Sequence, residues 1–246
     1  MKIAAIQLDT IAGEVTHNVH KALNWTKAAF EHGAGFVFLH EGLTADYTPD
    51  PMASARPLES AEVYGFATLA ERYGGFVALG LNEVFQGQPY ISCVYLGAEG
   101  VIDVYRKSYL WTVEPRDDYC AYRAAYRQEK GILAHGDGTR NVKVGDLLIG
   151  SIICADGNTD AAWDTFRKDK PDLVFFQNNR GNVDEQRNRD FAREIGRPMV
   201  ATNRVGFSWF HDQQGGTRII RRDGTLAAAA NTDGKEQVIY ADLSDL

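Results

Sequence analysis

The chain predicts an α/β fold in which helices cover the outer faces of β-sheets. Three observations carry the prediction: short unbroken apolar runs alternate with segments of helical period, glycines separate the two kinds of segment, and the second half repeats the order of the first.

The first strand is the run from Lys2 to Leu8. Val19, Leu23, Ala29 and Phe30 then share one face of a helix over about 18–32, which Gly33 closes. A strand over 36–40 follows. The helix over 60–73 ends at Gly74-Gly75, and a third strand spans 76–81. Two more strands, 92–96 and 101–106, flank Gly97-Ala98-Glu99-Gly100, a hairpin signal. The stretch from Trp111 to Gly145, rich in Tyr, Arg and Asp, is the longest irregular segment, the kind from which lids are drawn. Beyond it come a strand over 147–153, a helix over about 160–168, a strand over 172–177, a helix over 184–195 and a strand over 199–203. A Gly-rich hairpin is expected around Gly215-Gly216. Nothing in the sequence resembles a linker, so one domain over 1–246 is expected.

Composition narrows the function classes. A net charge of −7 and a pI near 5.4 argue against a nucleic-acid surface, which needs a basic stripe. The N-terminus lacks a signal-peptide core and no apolar run approaches the ~18 residues of a membrane span, so a cytoplasmic protein without a membrane partner is expected. Cys93, Cys120 and Cys154 are too few and too scattered for a disulfide framework or a zinc site. Cys93 lies inside an apolar run and belongs in the core; Cys120 is expected to be inert.

Cys154 is different, because it stands where the run 147–153 stops. Two other runs end in the same manner: 36–40 delivers Glu41, and 101–106 delivers Lys107. A thiolate is the reactive form of cysteine; an ammonium favours it, and a carboxylate can take the proton during attack. Lysine would also stabilise the oxyanion formed on a carbonyl, worth roughly 3–4 kcal/mol per good donor, and a carboxylate base adds roughly 10²–10⁴-fold. Singly, each residue has a plainer role: a packed thiol, a helix cap, a solvated lysine. Jointly, three strand ends offer a nucleophile, a base and a cation, and no metal or other cofactor is needed.

The blocks around these residues resemble the nitrilase or carbon-nitrogen hydrolase superfamily, whose catalytic Glu, Lys and Cys occur in this chain order. Lys2-Ile3-Ala4-Ala5-Ile6-Gln7-Leu8 is similar to its opening strand, Tyr105-Arg106-Lys107-Ser108-Tyr109-Leu110 to its Tyr-Arg-Lys block, and Ile153-Cys154-Ala155-Asp156 to its nucleophile block. The segments from Arg193 to Gly206 and from Gly215 to Gly224 resemble its closing blocks, the latter as a hairpin. The resemblance implies a four-layer α-β-β-α sandwich, a metal-independent amidase working through a cysteine thioester, and a homodimer or higher homo-oligomer. It also implies a second glutamate that orients substrate and lysine; Glu114 is the candidate and Glu129 the alternative. The backbone N–H of Ala155 would join Lys107 in holding the oxyanion.

Three departures stand out: His40 occupies the place of a usual proline, Tyr109 that of a usual histidine, and Asp156 is followed by Gly157-Asn158 rather than by aromatic or Arg residues. Residues after strand ends line pockets, so Asp156, Asn158, Gln177, Asn178, Asn179 and Arg180, with Asp46, Tyr47 and Trp111, are expected to bind substrate. That lining suits a small polar amide. N-carbamoyl hydrolases often carry Arg after the nucleophile block, which leaves Arg180 as the candidate carboxylate clamp, or else as the partner of a surface acid. A ureido hydrolase or nitrilase using the same trio, a catalytically idle interaction module, and the glutaminase part of a larger synthetase are the alternatives.

Overall fold

Apolar runs buried on both faces belong in the parallel part of a helix-covered sheet. The computed structural model describes residues 1–111, 131–181, 183–208 and 211–246 and places them there. β1 (Lys2–Gln7), β2 (Ala34–Phe38) and β3 (Phe76–Phe85) run parallel, joined through α1 (Val15–Glu31) and through α2 (Pro51–Ser54) and α3 (Ala61–Tyr73). β4 (Gln88–Gly97) and β5 (Gly100–Arg106) extend the sheet antiparallel.

The second sheet repeats this plan. β6 (Arg140–Val144) is its antiparallel edge, and β7 (Leu147–Ile153), β8 (Leu173–Gln177) and β9 (Met199–Thr202) are parallel, joined through α4 (Asp160–Asp169) and α5 (Glu185–Ile195). The chain leaves the sheet as a separate hairpin, β10 (Val205–Ser208) with β11 (His211–Gln214), and returns as antiparallel β12 (Arg218–Ile220) and β13 (Leu226–Ala229). Finally β14 (Gln237–Asp242) pairs antiparallel with β1, the counterpart of β6.

Strand alternation divides the side chains among three cores. Phe36 and Phe38 of β2, Ile149 and Ile153 of β7 and Leu173 and Phe175 of β8 pack between the sheets. Their neighbours Val37 and Leu39 turn outward against α1 and α3, while Ile152, Val174 and Phe176 turn outward to α4 and α5. The result is the four-layer α-β-β-α sandwich. Helix ends obey local rules: Ser60 accepts from Val63 N–H and Asp184 from Arg187 N–H as N-caps, and Gly74 and Gly196 end α3 and α5 in left-handed conformations.

The structure departs from the sequence expectations in three places. β2 ends at Phe38, short of His40. The stretch expected to be irregular to Gly145 contains β6, whose Val142 and Val144 point into the core between polar neighbours. Gly215-Gly216 is not a hairpin turn but a close crossing: both have positive φ, and Gln7 Oε1 accepts from Gly216 N–H and Thr217 N–H at 2.8 and 3.1 Å. The turn lies later, between β12 and β13, where Gly224 has φ 80° and Asp223 accepts from Thr225 N–H.

Candidate active site

Four chain segments that follow strand ends converge on one rim of the sandwich, those after β2, β5, β7 and β8. In open α/β sheets this carboxyl edge is where ligands bind. Cys154 follows β7 directly and opens a 3₁₀ turn, Cys154–Asn158, with φ 45° at the cysteine. A non-glycine residue held there costs about 1–3 kcal/mol, and such strain concentrates at functional sites.

Asp156 holds that turn in place. Its Oδ2 accepts from Ile153 N–H (2.8 Å) and the Tyr105 hydroxyl (2.7 Å), its Oδ1 from Ser108 N–H (3.1 Å) and Tyr109 N–H (2.7 Å). The carboxylate is fully buried, and burial lifts it to about 6 against the pull of these donors and of Lys107. It therefore ties the turn that Cys154 opens to the segment after Lys107.

Lys107 and Glu41 are both fully buried and paired, Nζ to Oε1 at 2.8 Å. Tyr47 completes a triangle: its hydroxyl donates to Glu41 Oε1 at 2.6 Å and receives Lys107 Nζ at 3.2 Å. The lysine is aimed from its own strand end. Its neighbour Arg106 forks onto buried Glu83 at 2.5 and 2.8 Å, Ser92 also donates to Glu83, and the guanidinium covers the Phe85 ring. Glu41 is aimed across the sheets, where Gln177 Nε2 donates to the Leu39 carbonyl two residues earlier (2.9 Å). β3 must also pass close by, since a Cβ at Gly80 would overlap the His40 carbonyl oxygen.

The loop bearing Tyr47 is held by a second buried network. Asp46 Oδ1 accepts from Asn179 Nδ2 (2.7 Å) and Ser208 Oγ (2.9 Å), while its Oδ2 pairs with Arg204 (2.5 Å). Fully buried Arg204 also reaches Asp9 and the Thr10 carbonyl.

A model of the carbon-nitrogen hydrolase family matches residues 2–245. The chain belongs to the carbon-nitrogen hydrolase family. It is 24% identical over 260 residues to an (R)-stereoselective amidase of a Pseudomonas species, covering all of this chain and 86% of that protein. Its fold is similar to that of Saccharomyces cerevisiae Nit3, of the nitrilase superfamily (TM-score 0.83, 17% identity, 99% and 89% of the two chains). It is similar as well to the amidase of Nesterenkonia sp. AN1, solved with acrylamide added at the active-site cysteine (TM-score 0.81, 17% identity, 100% and 96%). Glutamine-dependent NAD+ synthetase of Acinetobacter baumannii contains the same fold (TM-score 0.78, 19% identity, 97% of this chain), and there the chain spans 44% of the longer protein.

In this carbon-nitrogen hydrolase the residues expected to bind substrate, Arg180 apart, fall into two groups. Trp111, Ala155 and Asn158 line a cavity of about 390 Å³, together with Ser108, Tyr109, Leu110, His135 and Thr159. Asp46, Tyr47, Asp156, Asn178 and Asn179 are instead buried in the framework, Asn178 donating to the Phe176 and Thr202 carbonyls. Arg180 donates to the Cys154 carbonyl and to Asn158 Oδ1. Glu114, Glu129 and Cys120 lie outside the described residues. Cys93 is a core thiol that burial pushes up to about 12.

Sequence reasoning passed over Glu83, Arg204, Tyr105 and His135. Glu83 stands next to Asn82 at the end of an apolar run, and both are buried, which is the one local signal of a polar network. Among the described residues no group of three or more His, Cys, Asp or Glu is placed to hold a metal, and no helix is long and apolar enough to cross a membrane.

Proposed function

We propose that this hydrolase is an amidase acting on small polar carboxamides through a thioester on Cys154. The observation that carries the reading is the buried Lys107–Glu41–Tyr47 triangle, tied through Asp156 to the turn that Cys154 opens in left-handed conformation.

The chemistry follows from these parts. Glu41 takes the thiol proton as sulfur attacks the amide carbon, and the carbonyl oxygen becomes an oxyanion facing Lys107 and the Ala155 N–H. Glu41 returns the proton to the departing nitrogen, the C–N bond breaks, and ammonia or an amine leaves. Water then loses a proton to Glu41 and attacks the thioester, giving the carboxylic acid and the free thiol. Burial strengthens each charge interaction over its value in water. Tyr47, donating to Glu41, keeps the carboxylate in one orientation. The acyl group lies along the cavity beside Ala155, where Tyr109, Leu110 and Trp111 offer area and Asn158 and His135 offer hydrogen bonds.

A product assay over carboxamides, N-carbamoyl amino acids and nitriles tests this. The expected result is acid plus ammonia from carboxamides, lost in Cys154→Ser. Release of carbon dioxide from ureido substrates, with carboxamides inert, would replace the reading with a ureido hydrolase.

A further inference from the structure

Arg180 was expected at the pocket as a clamp for a substrate carboxylate, and its position points elsewhere. Asn203 pins its backbone from both sides: Asn203 Oδ1 accepts from Arg180 N–H at 3.0 Å, and Asn203 Nδ2 donates to the Arg180 carbonyl at 2.9 Å. The side chain then runs over the Phe176 ring, with the guanidinium carbon 5.3 Å from its centre. One terminal nitrogen donates both to the Cys154 carbonyl and to Asn158 Oδ1, at 3.2 Å for the latter, so it spans the first and last residues of the nucleophile turn. The Nε is buried without an acceptor among the described residues.

We propose that Arg180 is a positioning residue for Cys154: its guanidinium straps the nucleophile turn closed, and its charge favours the thiolate. The strap opposes a specific strain. Cys154 has φ 45°, and the carbonyl Arg180 holds is the one whose orientation that conformation sets. Electrostatics support the second half. Burial alone would lower the Arg180 pKa, yet it is raised, first by the charge and hydrogen bonding of Cys154 and then by Glu41 and Asp156. The attraction is mutual, so the cation that gains from the thiolate also stabilises it. Among the described residues, Lys107, Glu41 and Asp156 also carry charge near the turn, Arg187 of α5 donates to the Gly157 carbonyl, and Asp184 lines the same small cavity as Gly157 and Arg180.

The proposal rests on Cys154 as the nucleophile, and alkylation separates the two because it needs no amide substrate. The rate of iodoacetamide labelling of the Cys154 peptide is followed against pH in the wild type, Arg180→Gln and Arg180→Lys, with melting temperatures alongside. Arg180→Gln keeps a donor and loses the charge; its labelling midpoint should rise by about one pH unit or more. Arg180→Lys keeps the charge and loses the planar fork; its midpoint should stay within about half a unit while kcat falls about tenfold or more. An unmoved midpoint in Arg180→Gln overturns the role in the thiolate, and wild-type kcat in Arg180→Lys overturns the strap, even where the glutamine variant fails to fold. A rise confined to KM for substrates bearing a carboxylate, with midpoints fixed, would return Arg180 to the clamp role.

Discussion

The Tyr105 hydroxyl donates to Asp156 Oδ2 at 2.7 Å, from the penultimate residue of β5 in one sheet to the Cys154 turn that follows β7 in the other. Both groups are buried, and burial holds the phenol well above its ordinary pKa, so it remains a donor. One carboxylate thereby fixes where the segment after Lys107 lies relative to Cys154.

Asp156→Asn should therefore cost far more than its near-identical volume suggests. An amide nitrogen would replace an oxygen that receives two donors, setting N–H against N–H or O–H. Breaking such a buried site costs roughly 1–3 kcal/mol per group left unsatisfied. kcat should fall by about 100-fold or more, because small misplacements of reacting groups have that effect, while Tyr105→Phe, losing one donor, should lose less. Steady-state kinetics with melting curves check the order; equal effects from the two variants would contradict it.

Gly80→Ala tests how closely β3 must pass the chain before Glu41. The added Cβ would overlap the His40 carbonyl oxygen, which is backbone and cannot rotate away. Overpacking of this kind costs typically about 1–3 kcal/mol, and the displaced Glu41 should lower kcat about tenfold or more. Unchanged kcat in a stably folded variant would show that Glu41 is not held through this contact.

His40 carries a pH signature. Burial first, then the charges of Arg204 and Lys21, lower its imidazole to about 3, against a hydrogen bond from the ring to the Glu41 carbonyl. The folded pKa lies below the unfolded value near 6.5, so this contribution to stability is full above that pH and is lost as pH falls towards 3. The slope is about 1.4 kcal/mol per pH unit. Asp156, raised to about 6, works in the opposite sense between about pH 6 and its unfolded value, but that term is common to wild type and variant. His40→Gln should therefore gain on the wild type by roughly 2–3 kcal/mol between pH 7 and 4.5 in urea unfolding. A constant difference across that range would contradict the buried neutral imidazole.

Much of this architecture is legible in the sequence because the parallel strands are buried on both sides. Unbroken runs such as Leu147 to Ile153 mark them, and Cys154 is placed by the end of that strand. Edge strands are harder to see. β6 has only Val142 and Val144 to place inward, and β14 is defined by its pairing with β1, more than two hundred residues away in sequence. The same holds for the polar framework. Asp156 and Asp46 stand beside the expected pocket in sequence, but their partners Tyr105, Arg204, Ser208 and Asn179 come from distant segments, and only the folded chain shows that these two carboxylates are satisfied by protein.

Glu41→Gln and Lys107→Met should each lower kcat by several orders of magnitude, and the double variant should lose little beyond either one. The two groups share one hydrogen-bonded unit with Tyr47, and residues acting as a unit are strongly non-additive. EDTA should leave the rate unchanged. Losses that multiply in the double variant would mean that base and cation act independently.

The most direct test of the whole account is to catch the acyl group on sulfur. Enzyme mixed with a saturating carboxamide and quenched in acid within one turnover should yield a Cys154 peptide heavier by the acyl group alone, with no label on Cys93 or Cys120 and none in Cys154→Ser. Full turnover with no acylated Cys154 peptide at any time, or more than a tenth of wild-type kcat surviving in Cys154→Ser, would contradict the thioester mechanism.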